Sequence, residues 1–338
     1  MTELHPVEAA WRRFRNSEQY ALLWRSIHLQ GSFLDFIGLK SLPPEIVLPG
    51  AVPLNLILER SERTPSALSR PHTRIIAETL LANTVHVWAA YRGTKTIYEI
   101  EPPLGECLSR SPWPQLTPTA ALRLPSHCPV FCLSSGSSAK YFAAVYDLLT
   151  DNEASGILEL RISQLKDEFW FPISILHLNH DTLSQCADAA AADARAHGAP
   201  QGANMEFQNK PTGLILTILL YLAGEPDIVH IVHPGEKPIK DKLARRDPER
   251  YRDLHEPTTH TVGRSFARAL ERWEIEHKHD PGVETGRTVR PHMRKAHSHL
   301  YWTGEGRLEP RVKFLLPISV TGGQLIEEPE EPLIRPTR

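Results

Sequence analysis

Cysteine is scarce in this sequence: Cys107, Cys128, Cys132 and Cys186 are the four thiols in 338 residues. So few, so widely scattered, do not make a disulfide scaffold, and they fit a chain that works in a reducing compartment. Cys128 and Cys132 have no second matching pair, so their spacing does not read as structural zinc. Net charge is almost absent too, at −2. That excludes a chain that attracts polyanions with its whole surface and leaves the task to local patches. Long apolar runs are missing. The longest, Leu214 to Leu222, is interrupted by Thr217 and falls far short of the ~20 residues that span a bilayer. It reads as a buried helix. The opening segment, MTELHPVEAAWRRFRN, has neither an early apolar stretch nor a small-residue cleavage site, so it does not read as a secretory signal. The phosphate-binding P-loop, GxGxxG, GxSxG and HExxH patterns do not occur. Ser137-Ser138-Ala139-Lys140 matches S-x-x-K formally, but in a serine-rich turn without supporting motifs. The expectation is a soluble, cytoplasmic chain with no membrane partner and no cofactor.

What is present is an ordinary globular composition, 41% hydrophobic and 23% charged, in a chain long enough for two subdomains. Apolar spacing predicts an amphipathic helix over residues 5–30, carried by Val7, Trp11, Phe14, Leu22, Leu23 and Ile27. A second helix is predicted over 73–91, ended by Gly93, and a strand over 96–101. Prolines mark a loop at 41–53, and seven of them make 102–129 read as an irregular connector. Strand-like runs follow at 130–133, 141–149, 157–162 and 169–178, separated by short turn signals, which favours an antiparallel meander. Asp181 is the expected cap of an alanine-rich helix to about residue 197. A Gly-containing linker over 198–209 sets a division near residue 205. A helix from Pro211 to Ala223 is expected next, with Pro at its first turn, then a charged excursion over 234–257 and strand, helix and hairpin signals from Thr259. The fold class is α+β: N-terminal helices with an antiparallel sheet over residues 1–205, a smaller α+β motif subdomain over 206–325, and a disordered acidic, proline-rich tail over 326–338.

The densest chemistry lies late in the chain. Between Arg287 and Lys313 stand Arg287, Arg290, Arg294, Lys295, Arg307, Arg311 and Lys313, opposed only by Glu305 and Glu309, a local charge of +5 before His292, His297 or His299 is protonated. A patch of that sign on a neutral chain is a footprint for phosphate or an acidic partner. Residues 296–303 read as a strand, and alternation puts His297, His299 and Tyr301 on one face. Residues 311–318 read as its antiparallel return, and the simplest register sets Arg311 and Lys313 on the same face. Such a set can perform phosphodiester chemistry without metal: one imidazole takes the proton of a ribose 2′-hydroxyl, another gives one to the leaving oxygen, and a cation stabilises charge on phosphorus. It can equally bind phosphate or an acidic surface, or be a solvated hairpin.

A metal reading pairs His297 and His299 with His292 or Asp227, but the surrounding cations oppose it. Glu225 and Asp227, where the apolar helix ends, can brace Arg290 or Arg294 by a bidentate pair, or simply form a helix-ending turn.

The run Arg290-Pro291-His292-Met293-Arg294-Lys295-Ala296-His297, then Tyr301-Trp302-Thr303-Gly304 and Arg311-Val312-Lys313, resembles a family of phage- and plasmid-borne proteins that includes the second-described type V-A anti-CRISPR inhibitor. The leucine-rich helix running into Glu225-Pro226-Asp227 is similar at the expected distance upstream, so the resemblance covers residues 210–320. It implies a regulator in the host bacterial cytoplasm that recognises the nascent polypeptide of a type V CRISPR effector and causes loss of its mRNA. Its partners would be that nascent chain and RNA or ribosome-associated mRNA. On the reading of the residues themselves, His292, His297 and His299 are the candidate reactive groups, Arg290, Arg294, Lys295, Tyr301, Arg311 and Lys313 the binding set, and Glu225 and Asp227 their support. Two alternatives stay open: a non-enzymatic inhibitor using the basic face, and a metal-independent endoribonuclease of toxin type.

Overall fold

The computed structural model describes residues 4–17, 71–110, 126, 128–135, 138–149, 157–196, 205–223, 228–234, 257–277, 292–294, 297–307, 309–315 and 318–320. The expectations for 18–30, 41–53, 111–125, 198–204, 224–227, 235–256 and the tail from 321 lie outside them.

Alternation over residues 130–177 yields the meander. Strands β2 (Val130–Ser135), β3 (Ser138–Leu149), β4 (Ile157–Lys166) and β5 (Phe169–His177) pair antiparallel in succession, with Phe131 opposite Phe142, Ala144 opposite Ile162 and Leu160 opposite Leu176. Pro172 cannot donate to a ladder, and it sits on the edge strand β5, opposite Ser163 at an irregularity in the register. Strand β1 (Thr96–Ile100) adds to β2 in parallel, with Ile97 opposite Val130. On its other side β1 pairs in parallel with β7 (Thr258–Val262), which pairs antiparallel with β6 (Ile228–Pro234). The result is one seven-stranded sheet in the order β5-β4-β3-β2-β1-β7-β6. The protein is α+β, as expected; around the antiparallel meander the two parallel joins make the sheet mixed.

Helices cover both faces, which is why its central strands are apolar on both sides. On one face lie α1 (Pro6–Arg15) and α2 (Pro71–Thr94). Their Trp11, Phe14, Trp88 and Tyr91 are buried against Val145 and Trp170. Trp88 is the hub: its ring centroid lies 5.4 Å from Trp11, 5.5 Å from Tyr91 and 5.1 Å from Trp170, each pair tilted or edge-on as ring quadrupoles prefer. On the other face Leu104 and Leu108 of α3 (Pro102–Ser109), Leu183 of α4 (Leu183–Ala196), Ile215 to Leu222 of α5 (Met205–Ala223) and Phe266 of α6 (Arg264–His277) meet Phe131, Phe142, Leu160 and Leu176. Burying each such side chain contributes about 1.5–3 kcal/mol. Sheet and core draw on elements from both sides of residue 205.

Local chemistry corrects several boundaries. Helix α1 closes at Arg15 instead of running to residue 30, with Asn16 as its C-cap and the Ser17 hydroxyl donating to the Phe14 carbonyl at 2.6 Å. The stretch 102–109 is a helix and not an irregular connector, because Pro102 and Pro103 occupy the first turn, where a missing N–H costs nothing. Thr182, not Asp181, caps α4. The Thr182 hydroxyl accepts from the Gln185 N–H at 3.2 Å while the Gln185 carboxamide accepts from the Thr182 N–H at 3.0 Å, a reciprocal capping box. Helix α5 begins at Met205 and carries Pro211 in its interior instead of at its first turn.

A charged cluster docks α1. Glu8 is fully buried, and its carboxylate accepts from Lys95 Nζ at 3.1 and 3.2 Å and from Arg12 Nε at 3.0 Å. Burial pushes the Glu8 carboxyl up from its ordinary value; Lys95 and Arg12 pull it back. His5 caps the same helix, its Nδ1 accepting from the Val7 N–H at 3.2 Å. Glu99 Oε1 stands 3.8 Å from His5 Nε2, too far for a strong hydrogen bond. Burial dominates and pushes the imidazole down to about 4, so His5 is neutral, as a cap acceptor must be.

Candidate functional site

The motif segment folds as two small antiparallel ladders. Strand β9 (His297–Thr303) returns through a 3-10 turn (Glu305–Arg307) into β10 (Glu309–Leu315). Gly304 and Gly306 hold φ values of 79° and 69° in that turn, a region that favours glycine. The return strand starts at Glu309, two residues before the expected Arg311, because the turn is tighter than the Gly/Pro content of 304–310 suggests. Strand β10 packs beside α5, which anchors the hairpin to the second core. Strand β8 (His292–Arg294) pairs separately with β11 (Ile318–Val320).

The register sets Lys313 opposite His299, Arg311 opposite Tyr301 and Leu315 opposite His297. Directly opposed residues of an antiparallel pair lie on one face of the sheet. Positions 297, 299, 301, 311 and 313 therefore share a face, and Tyr301 and Lys313 on it are exposed, Tyr301 by 41%. His292 and Arg294 belong to the other ladder, opposite Val320 and Ile318. Arg290, Lys295, Glu225 and Asp227 lie outside the described residues.

The remaining titratable chemistry is of another kind. All four cysteines are free, and burial pushes the thiols of Cys128, Cys132 and Cys186 up, away from thiolate nucleophiles. Among the described residues no group of three or more His, Cys, Asp or Glu side chains is placed to hold a metal ion, and no helix is long and apolar enough to cross a membrane. Charge density in the sequence peaks over 287–313 and is low along α6, where Arg264, Arg268 and Arg272 are nevertheless exposed. Their signal was spacing, one guanidinium every four residues.

A mixed sheet covered on both faces, with a basic hairpin appended, defines an α+β protein with the architecture of a solved anti-CRISPR. The chain matches the crystal structure of AcrVA2 with a TM-score of 0.59 at 17% identity, over 94% of this chain and 100% of that one, a likeness of fold. The family is shown by sequence: the AcrVA2-like model, the anti-CRISPR type V subtype A2 family, matches residues 98–322, and the chain belongs to that family. The match reaches well upstream of the 210–320 in which the motifs stand, to Tyr98 on β1. No curated protein matches the chain.

Proposed function

We propose that this anti-CRISPR lowers the level of a type V CRISPR effector by recognising its nascent chain and causing loss of its mRNA, and that the β9–β10 face is its RNA contact. The observation that carries the reading is the register: it aligns His299 with Lys313 and Tyr301 with Arg311 on one face, interleaving imidazole, phenol and fixed cations on one hairpin. Cations there neutralise phosphate, the ring stacks on a base, and an imidazole near neutrality can donate or take a proton.

A non-enzymatic inhibitor is the second reading, and one observation favours it. His292 stands on the β8–β11 ladder while His297 and His299 stand on β9, so the three imidazoles do not share one strand pair. A face that holds RNA or a protein without cutting it needs no such convergence.

Incubating the full chain with labelled RNA, with and without chelator, separates these readings. Chelator-resistant cleavage abolished by His297→Ala or His299→Ala supports a metal-independent ribonuclease. Binding without cleavage supports the non-enzymatic reading. Target mRNA followed in cells, with the effector's first codons recoded so that the peptide changes, tests nascent-chain recognition; undiminished loss of message would refute that step.

A further inference from the structure

Helix α6 leaves β7 through Gly263 and buries Phe266 and Leu270 against the second core. That packing fixes which side of the helix faces out. Arg264, Arg268 and Arg272 fall on the outer side at four-residue intervals, and all three are exposed. At 1.5 Å of rise per residue they climb the helix in steps of about 6 Å and span about 12 Å. The Arg272 Nε–H donates to the Arg268 carbonyl at 3.4 Å, a weak bond that does not occupy the two Nη groups. The same helix also carries Glu271, exposed and within the stripe, and Glu276, four residues beyond Arg272; among the described residues none of the three arginines is ion-paired.

We infer that the Arg264–Arg268–Arg272 ladder of α6 is a second, sequence-independent contact for single-stranded RNA that grips successive phosphates of the backbone. Three features select this occupant. The steps are regular and close to the distance between neighbouring phosphates of an extended strand, which carries a charge at every nucleotide whatever its sequence, whereas a peptide presents that pitch only where its acidic residues recur at one spacing. The groups are guanidinium throughout, and its fork binds phosphate oxygens two at a time. The chain as a whole carries a charge of −2, so a polyanion can be held only where cations gather. The ladder supplies no proton donor or acceptor near neutrality. It contributes grip and direction, not chemistry. The partner class rests on the RNA reading of the hairpin, but the residues are different and can be removed separately.

The test is a salt titration of the full chain binding an unstructured, labelled 20-nucleotide RNA, with wild type, R264Q/R268Q/R272Q and R311Q/K313Q measured side by side. Glutamine keeps helix propensity close to that of arginine, and unchanged circular dichroism and Tm verify the fold. Each phosphate contact on a single strand contributes about 0.7 to the slope of log K against log salt, so losing three lowers its magnitude by about 2 and weakens low-salt binding by about tenfold or more. A loss in the ladder variant supports the inference, whether or not the hairpin variant also loses binding. A loss confined to the hairpin variant overturns the ladder and leaves the hairpin reading standing. If wild type shows no salt-dependent RNA binding, both are overturned. Poly-glutamate replaces RNA in a parallel titration; tighter, ladder-dependent binding to it would reassign the stripe to an acidic protein and overturn the inference.

Discussion

Lys95 Nζ lies 3.1 Å from Glu8 Oε1 inside the protein, with the lysine 5% and the glutamate 0% exposed. The pair explains a backbone oddity. Lys95 follows α2 at a φ of 41°, with its N–H bonded to the Tyr91 carbonyl at 2.7 Å, a left-handed position where glycine is usual and a side chain costs about 1–2 kcal/mol. The ion pair offsets that cost by neutralising a carboxylate that α1 has carried into the core. Lys95→Met therefore destabilises by about 3 kcal/mol, even with Arg12 left beside Glu8. Pairing it with Glu8→Gln recovers much of the loss. Urea unfolding of the single and double variants measures this; a larger loss in the double variant than in Lys95→Met would contradict it.

The His5 cap makes stability depend on acid. The imidazole sits at about 4 when folded against an ordinary 6.5, so between these values the unfolded chain binds the proton that the folded one refuses. The stability His5 contributes is fully present above about pH 6.5 and is lost as pH falls through about 4, a swing on the order of 3 kcal/mol. His5→Asn keeps a cap acceptor that does not titrate. Thermal unfolding from pH 7 to 4 should show wild type losing more stability than His5→Asn; parallel curves would exclude the cap as the cause.

Gly263 joins β7 to α6 at a φ of 88°, and a Cβ there would meet Leu104 Cβ at 2.8 Å. Leu104 is fully buried under the sheet and cannot withdraw. Gly263→Ala combines backbone strain with overlap and should cost about 2–4 kcal/mol, read as a fall in Tm. Because α6 carries the arginine ladder, the same variant should also weaken RNA binding if the helix shifts.

The cap of α4 separates two neighbours that the sequence does not. Thr182→Ala removes the hydroxyl that accepts from the Gln185 N–H and should cost about 1 kcal/mol. Asp181→Ala, one residue earlier and exposed, should stay within about 0.5 kcal/mol. Equal losses would restore Asp181 as the cap.

What the sequence disclosed depended on how local each feature was. The meander was legible because alternation and turn residues sit within a few positions of one another, from Val130 to His177. The parallel joins of β1 to β2 and β7 were not, since Ile97 finds Val130 across more than thirty residues and Tyr98 finds His260 across far more. Proline density misled at Pro102 and Pro103, where position within the helix mattered more than count. In the hairpin, strand alternation placed His299 and Tyr301 on one face, and the partners Lys313 and Arg311 follow from a register one turn long. The ladder on α6 was visible as spacing but carries too little charge density to stand out beside residues 287–313.

Tyr301 distinguishes a face that stacks on bases from one that merely attracts phosphate. Tyr301 is 41% exposed and stands opposite Arg311 in the ladder, so Tyr301→Ala should leave the chain folded, with a stability loss of about 1 kcal/mol. Stacking of a base on an aromatic ring is worth about 1–3 kcal/mol. Tyr301→Ala should therefore weaken single-stranded RNA binding by about 5- to 160-fold with the salt slope unchanged, while Tyr301→Phe, which keeps the ring and loses the hydroxyl, binds as wild type does. Arg311→Gln should do the reverse, lowering the salt slope by about 0.7. A Tyr301→Ala variant that binds RNA as tightly as wild type would remove base stacking from the hairpin and leave its cations as the whole of the contact.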